Sequence, residues 1–151
     1  ALVSAAVGKL GARLLVANWR LTPAELGFIL ENSGAKALIV DDAEPTPLIE
    51  VARAAGVSLL VGIDGLAAGM VRFDDLMPES APARFAAGDP PLIVYTSGTT
   101  GRPKGVVMPG RPPPPSIAAA GPPGVMLITM PMHHASGPNQ LWMGRMAGRT
   151  M

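Results

Sequence analysis

The chain has no cysteine. That absence excludes a disulfide framework, a thiolate metal site and catalysis through a cysteine nucleophile. Aromatic residues make up only 4% of it, so its core must be built from Ala, Leu, Val and Met. Charge is sparse as well. With 15% charged residues and a formal net charge of +1, the chain offers no general case for nucleic acid or a membrane surface as partner. No apolar run reaches the length of a transmembrane segment. The first twenty residues are apolar, but Lys9, Arg13 and Arg20 break them. They also lack the charged-then-apolar layout of a signal peptide, so a cytoplasmic location is expected. His133 and His134 are the two histidines, and no third ligand is suggested beside them, so no metal site is expected.

What remains suffices for one domain with a sizeable core: 151 residues, 48% of them hydrophobic. The charge is uneven. Residues 1–75 hold six Lys/Arg and nine Asp/Glu, giving −3, and residues 76–151 hold six and two, giving +4. The basic half carries the most informative stretch. The chain opens on Ala1 and stops at Met151, and the expectation is a fragment.

Strand and helix patterns alternate through residue 63. Residues 1–10 read as a helix stopped by Gly11, and Leu14 to Ala17 as a short strand. Thr22-Pro23-Ala24-Glu25 is a capping box: Thr at N-cap, Pro at N1 and Glu at N3. Leu26, Ile29 and Leu30 then share a face, and Gly34 ends the helix. Ala37 to Val40 reads as a strand. Residues 46–55 read as a helix with Leu48, Val51 and Ala55 on one face, and Val57 to Ile63 as another strand. Such alternation predicts an α/β fold with a mostly parallel sheet covered by helices. Arg72 to Met77 reads as a short turn, and Pro78 to Pro91 as a proline- and alanine-rich connector. Pro109 to Pro115 holds five prolines in seven residues, which no helix can cross. Residues 116–120 have room for one helical turn. Val125 to Met130 reads as a buried strand. Asn139 to Met146 reads as a helix cut off by the chain end. The paired acids Asp41-Asp42 and Asp74-Asp75 read as solvated strand ends or caps, and Met126, Met130 and Met132 as core filler.

Between Leu92–Tyr95 and Val106–Met108, two apolar runs that predict adjacent strands, lies Thr96-Ser97-Gly98-Thr99-Thr100-Gly101-Arg102-Pro103-Lys104. Glycines let backbone N–H groups turn inward onto an anion. Ser97, Thr99 and Thr100 add hydroxyl donors, and Lys104 adds a point charge suited to phosphate. The alternative is an ordinary polar hairpin turn. A Walker A loop is excluded, because only two residues separate Gly98 from Gly101 and Gly105 follows Lys104.

Every position from Ile93 to Lys104 fits the phosphate-loop signature of the adenylate-forming superfamily, which this chain resembles. The segment Asn18-Trp19-Arg20-Leu21-Thr22-Pro23-Ala24-Glu25-Leu26 is similar to that family's upstream segment. Pro131-Met132-His133-His134-Ala135-Ser136-Gly137 is similar to its next downstream motif. The resemblance covers most of residues 8–143 in the right order. It implies part of the large N-terminal domain, with a β-hairpin phosphate loop and without the small C-terminal domain. It implies an acyl-CoA synthetase: ATP and a carboxylic acid, a fatty acid by type, give acyl-adenylate, and coenzyme A then gives the thioester. It implies phosphate binding by Thr96, Ser97, Gly98, Thr99, Thr100, Gly101 and Lys104. Lys104 and His134 would be catalytic, with His133, His134 and Gly137 at the acyl-carboxylate site. It places the Mg²⁺ ligand, the adenine and ribose contacts and a catalytic lysine outside this segment. His134 occupies the place that amino-acid adenylating domains usually leave without histidine. Loading of a carrier protein by an aryl- or amino-acid module is the alternative acceptor chemistry, and a truncated, non-catalytic fragment is the third reading. Alone, residues 1–151 are expected to be inactive.

Overall fold

In the computed structural model, residues 2–76, 90–96, 102–110 and 124–150 are described. Most of the expected phosphate loop, Ser97 to Gly101, lies outside them. So do residues 77–89, which hold most of the Pro78–Pro91 connector, the prolines after Arg111 and the possible turn at 116–120. The chain divides into two compact units, residues 1–18 with 83–151, and residues 19–82.

The second unit is built on α2 (Pro23–Ser33), β2 (Ala37–Val40), α3 (Thr46–Ala54), β3 (Leu59–Gly62) and β4 (Val71–Arg72), followed by a 3₁₀ turn, Phe73–Leu76. Its start is dictated locally. The Thr22 side chain accepts from the Glu25 N–H, and the Glu25 carboxylate accepts from the Thr22 N–H at 2.8 Å, closing the capping box. Gly34 ends the helix in a left-handed conformation, φ 65°. Strands β2, β3 and β4 are parallel, in register Ala37↔Leu59 to Val40↔Gly62 and then Val61↔Val71. Between β2 and β3 the chain crosses over through α3, as parallel strands require. Leu26, Ile29 and Leu30 of α2 are buried, as their spacing predicts, together with Ile49 and Ala52 of α3 and Val40, Val57, Leu60 and Val61. On α3 the buried stripe is thus Ile49–Ala52, with Leu48, Val51 and Ala55 half-buried beside it. The two stripes are neighbours on a 3.6-residue helix, and contact with the rest of the unit selects between them. The Asp42 carboxylate accepts from the Glu44 N–H at 3.0 Å, the turn role expected of an acid after a strand.

The first unit holds α1 (Leu2–Lys9), β1 (Leu14–Leu15), β5 (Leu92–Thr96), β6 (Lys104–Met108) and α4 (Ser136–Met146). Its sheet has the order β1-β5-β6, with β1 parallel to β5 and β5 antiparallel to β6. The strand at Leu14 therefore pairs with the hairpin, far along the sequence, and not with β2 as simple alternation suggests. The sequence carries the strand pattern but not the partner, because pairing across such a separation leaves no local mark. Two further expectations are corrected here. Residues 125–130 form no strand: the chain is bridged only at Val125, parallel to Thr150, and Val125 and Leu127 are 83% and 79% exposed. Helix α4 is not cut off by the chain end. It stops at Met146, and Gly148 turns the backbone left-handed at φ 58°. The Thr150 N–H then reaches the Gly124 carbonyl at 2.9 Å and the Met126 N–H reaches Thr150 at 2.8 Å.

Candidate active site

The hairpin register fixes one half of the site. Thr96 lies directly across from Lys104, Tyr95 from Gly105, Val94 from Val106 and Leu92 from Met108. Thr96 and Lys104 are both exposed at the mouth of the intervening loop. Directly opposed residues share a sheet face, and side chains alternate along a strand. Leu92, Val94 and Thr96 therefore share one face with Lys104, Val106 and Met108. Ile93 and Tyr95 share the other with Val107 and Gly105. On that second face the Tyr95 ring lies against Gly105, where a Cβ would come within 3.0 Å of the ring. Any larger residue at 105 would push the ring away. Burial pushes the Tyr95 phenol above its ordinary value.

The histidine motif forms a tight turn leading into α4. The His134 N–H donates to the Pro131 carbonyl at 3.1 Å, and the Gly137 N–H donates to the His134 carbonyl at 3.0 Å. A Cβ on Gly137 would overlap the Pro131 carbonyl oxygen, so the turn closes only around glycine. His133 and His134 do not splay to opposite sides as they would on a strand. Their ring centroids are 4.5 Å apart, tilted by 45°. His133 is half-buried and His134 exposed.

A small apolar cavity of about 40 Å³ connects the two halves. Leu92 and Met108 line it from the hairpin, Leu14 from β1, and Met132, Pro138 and Leu141 from the turn and α4. The residue before His133 thus faces the same side of the hairpin that carries Lys104. The cavity lies at the hairpin's base, and the Thr96–Lys104 pair is four residues further along, roughly 13 Å at strand rise. Ser97, Gly98, Thr99, Thr100 and Gly101 lie outside the described residues. Among the described residues no group of three His, Cys, Asp or Glu could hold a metal ion, so they offer magnesium no donor set of that kind. No helix among them is long and apolar enough to cross a membrane.

The sequence motifs do not single out Gln140, which the structure ties to the segment before the histidine turn. From α4 its carboxamide oxygen accepts from the Thr129 N–H at 3.1 Å and the Met130 N–H at 3.4 Å. Its position one turn into the helix after the histidine motif is the only sequence signal, and a weak one. The contact of Tyr95 with Gly105 was open to the sequence, once the hairpin register is counted inward from Thr96 and Lys104.

Comparisons with known proteins show the family and the fold. A family model described as AMP-binding enzyme matches residues 2–151. A long-chain-fatty-acid–CoA ligase of Mycobacterium tuberculosis is 42% identical over 107 residues, covering 66% of this chain and 20% of that protein. A fatty acid–[acyl-carrier-protein] ligase of Streptomyces coeruleorubidus is 38% identical over 104 residues, covering 68% of this chain and 20% of that protein. In each case the matched part is about a fifth of the relative's length. The crystal structure of the N-terminal domain of a Mycobacterium tuberculosis protein designated FACL13 superposes with a TM-score of 0.64 at 29% identity, over 95% of this chain and 38% of that one. The two sheets and their helices are therefore those of an adenylate-forming N-terminal domain, and the chain belongs to the AMP-binding enzyme family.

Proposed function

We propose that this chain is the phosphate-loop segment of an acyl-CoA synthetase, part of its large N-terminal domain. The reaction activates a carboxylic acid, a fatty acid by type, with ATP to acyl-adenylate and passes the acyl group to coenzyme A. The observation that carries the reading is the shared face: Lys104 at the loop mouth and Met132, beside the histidines, lie on one side of one hairpin. As the carboxylate attacks the α-phosphate, negative charge builds on departing pyrophosphate. The Lys104 ammonium, the Thr96 hydroxyl and the loop donors from Ser97 to Gly101 stabilise it. His134 orients the acyl carboxylate, and Gly137 gives the turn its closure. His134 is not a general base here, because a carboxylate nucleophile has no proton to give up. Magnesium, when bound, supplies further charge neutralisation at the phosphates through ligands outside this segment.

The test is a chimera in which residues 2–150 replace the matching segment of the Mycobacterium tuberculosis long-chain-fatty-acid–CoA ligase. Fatty-acid-dependent exchange of pyrophosphate into ATP is expected from the chimera, and none from residues 1–151 alone. A folded chimera without exchange contradicts the reading. A second reading, transfer to a carrier protein, is favoured by the relative named for that acceptor. Supplying the chimera with coenzyme A or with carrier protein separates the two.

A further inference from the structure

We propose that Gln140 is a positioning residue for the histidine turn, holding the bend through which the chain enters it. The proposal rests on the reading of His134 as an acyl-site residue. Along an extended strand, successive N–H groups point to opposite sides. A single oxygen that accepts from the consecutive N–H groups of Thr129 and Met130 therefore marks the point where the segment bends. Both partners are donors, so the carboxamide presents its oxygen there and not its NH₂. Pro131 follows directly and has no N–H of its own. Gln140 thus takes the last two backbone donors before the turn.

Backbone bonds from His134 to Pro131 and from Gly137 to His134 close the turn itself. Helix α4 starts at Ser136 with Ala135 as N-cap, and no side-chain capping bond is made. In most helices a Ser, Thr, Asp or Asn at that place would set the entry angle. Here Gly137 packed on Pro131, and Gln140 on the two amides, do so from inside the helix. Removing the Gln140 oxygen frees the bend, and with it the direction in which His133 and His134 project.

The experiment uses the 151-residue chain, isotope-labelled, with Gln140→Leu and Gln140→Glu, the second keeping an acceptor oxygen. In Gln140→Leu, exchange of the Thr129 and Met130 amides is expected to quicken at least about fivefold. The cross-peak between the two imidazole rings should be lost, while the Leu60 and Val61 amides of β3 stay protected. Gln140→Glu should restore both. Unchanged exchange and an unchanged ring cross-peak in Gln140→Leu overturn the proposal. So does a loss that spreads to Leu60 and Val61, which marks general destabilisation, and so does failure of Gln140→Glu to restore. In the chimera, Gln140→Leu is expected to raise KM for the fatty acid and leave KM for ATP unchanged. Because the exchange and ring measurements need no turnover, an inactive chimera sinks the proposed function and leaves the positioning role standing on its own data. A freed turn with an unaltered fatty-acid KM removes His134 from the acyl site instead.

Discussion

The two units of this chain differ in the apolar core that their described residues bury. Of the buried apolar side chains among the described residues, Leu26, Ile29, Leu30, Val40, Ile49, Ala52, Val57, Leu60 and Val61 lie in residues 19–82. Among the described residues of the other unit, Pro90, Val94 and Leu141 are buried. Yet the residues proposed for the site, Thr96, Lys104, His133, His134, Gly137 and Gln140, all belong to that other unit. There, Val106 and Val107 on the edge strand are 50% and 55% exposed. A parallel sheet with a crossover helix buries continuous apolar runs. A hairpin and a tight turn expose backbone donors and polar side chains, at the expense of packed core.

This contrast can be broken by substitution, and the largest effect belongs to the packed unit. Ile49→Ala empties a fully enclosed site and should destabilise that unit by about 2–5 kcal/mol, read by chemical denaturation. A loss near zero would mean that the α3 stripe is not its core. Next comes Gly137→Ala, which drives a methyl group into the Pro131 backbone and should cost about 1–3 kcal/mol. Its signature is local: changed His133 and His134 resonances with unchanged signals from β2 and β3. Thr22→Ala removes the side-chain half of the capping box and should cost about 1 kcal/mol.

That third variant also carries a pH test. Hydrogen bonds from the Thr22 backbone N–H, and then from its hydroxyl, hold the Glu25 carboxyl below its ordinary 4.5. A depressed carboxyl pKa stabilises the fold above the unfolded value, and the contribution is lost as pH falls below 4.5 through the folded value. Stability should therefore decline with acid over that window. The decline should be shallower in Thr22→Ala, which keeps only the backbone donor. An identical acid slope in both proteins removes the capping box from the account. The smallest effect is expected at the edge of the site-bearing unit, where Val107→Thr should change stability by less than about 0.5 kcal/mol.

The same contrast explains what the sequence discloses. Helix α2 is legible to the residue because its cap, first-turn proline, buried stripe and glycine stop act within a few residues of one another. The hairpin around Thr96 and Lys104 is legible because its two apolar runs sit side by side. Apart from the α4 stop at Gly148, a local signal, the failures are non-local. Leu14–Leu15 finds its partner at Leu92–Ile93. Residues 125–130 are apolar enough for a buried strand, but apolarity does not supply a neighbour, and only Thr150 bridges them. The grip of Gln140 on Thr129 and Met130 joins a helix to a bend before it, and no periodicity announces such a bond.

The central claim is that the chemistry sits with Lys104 while the enclosed core around Ile49 only carries it. Exchange of pyrophosphate into ATP by the chimera, measured per folded molecule for Lys104→Ala and Ile49→Ala side by side, tests this most directly. Lys104→Ala should lower exchange by about 10²–10³ at unchanged stability. Ile49→Ala should lower stability and leave exchange per folded molecule near that of the parent. Equal exchange by Lys104→Ala and the parent would contradict the account.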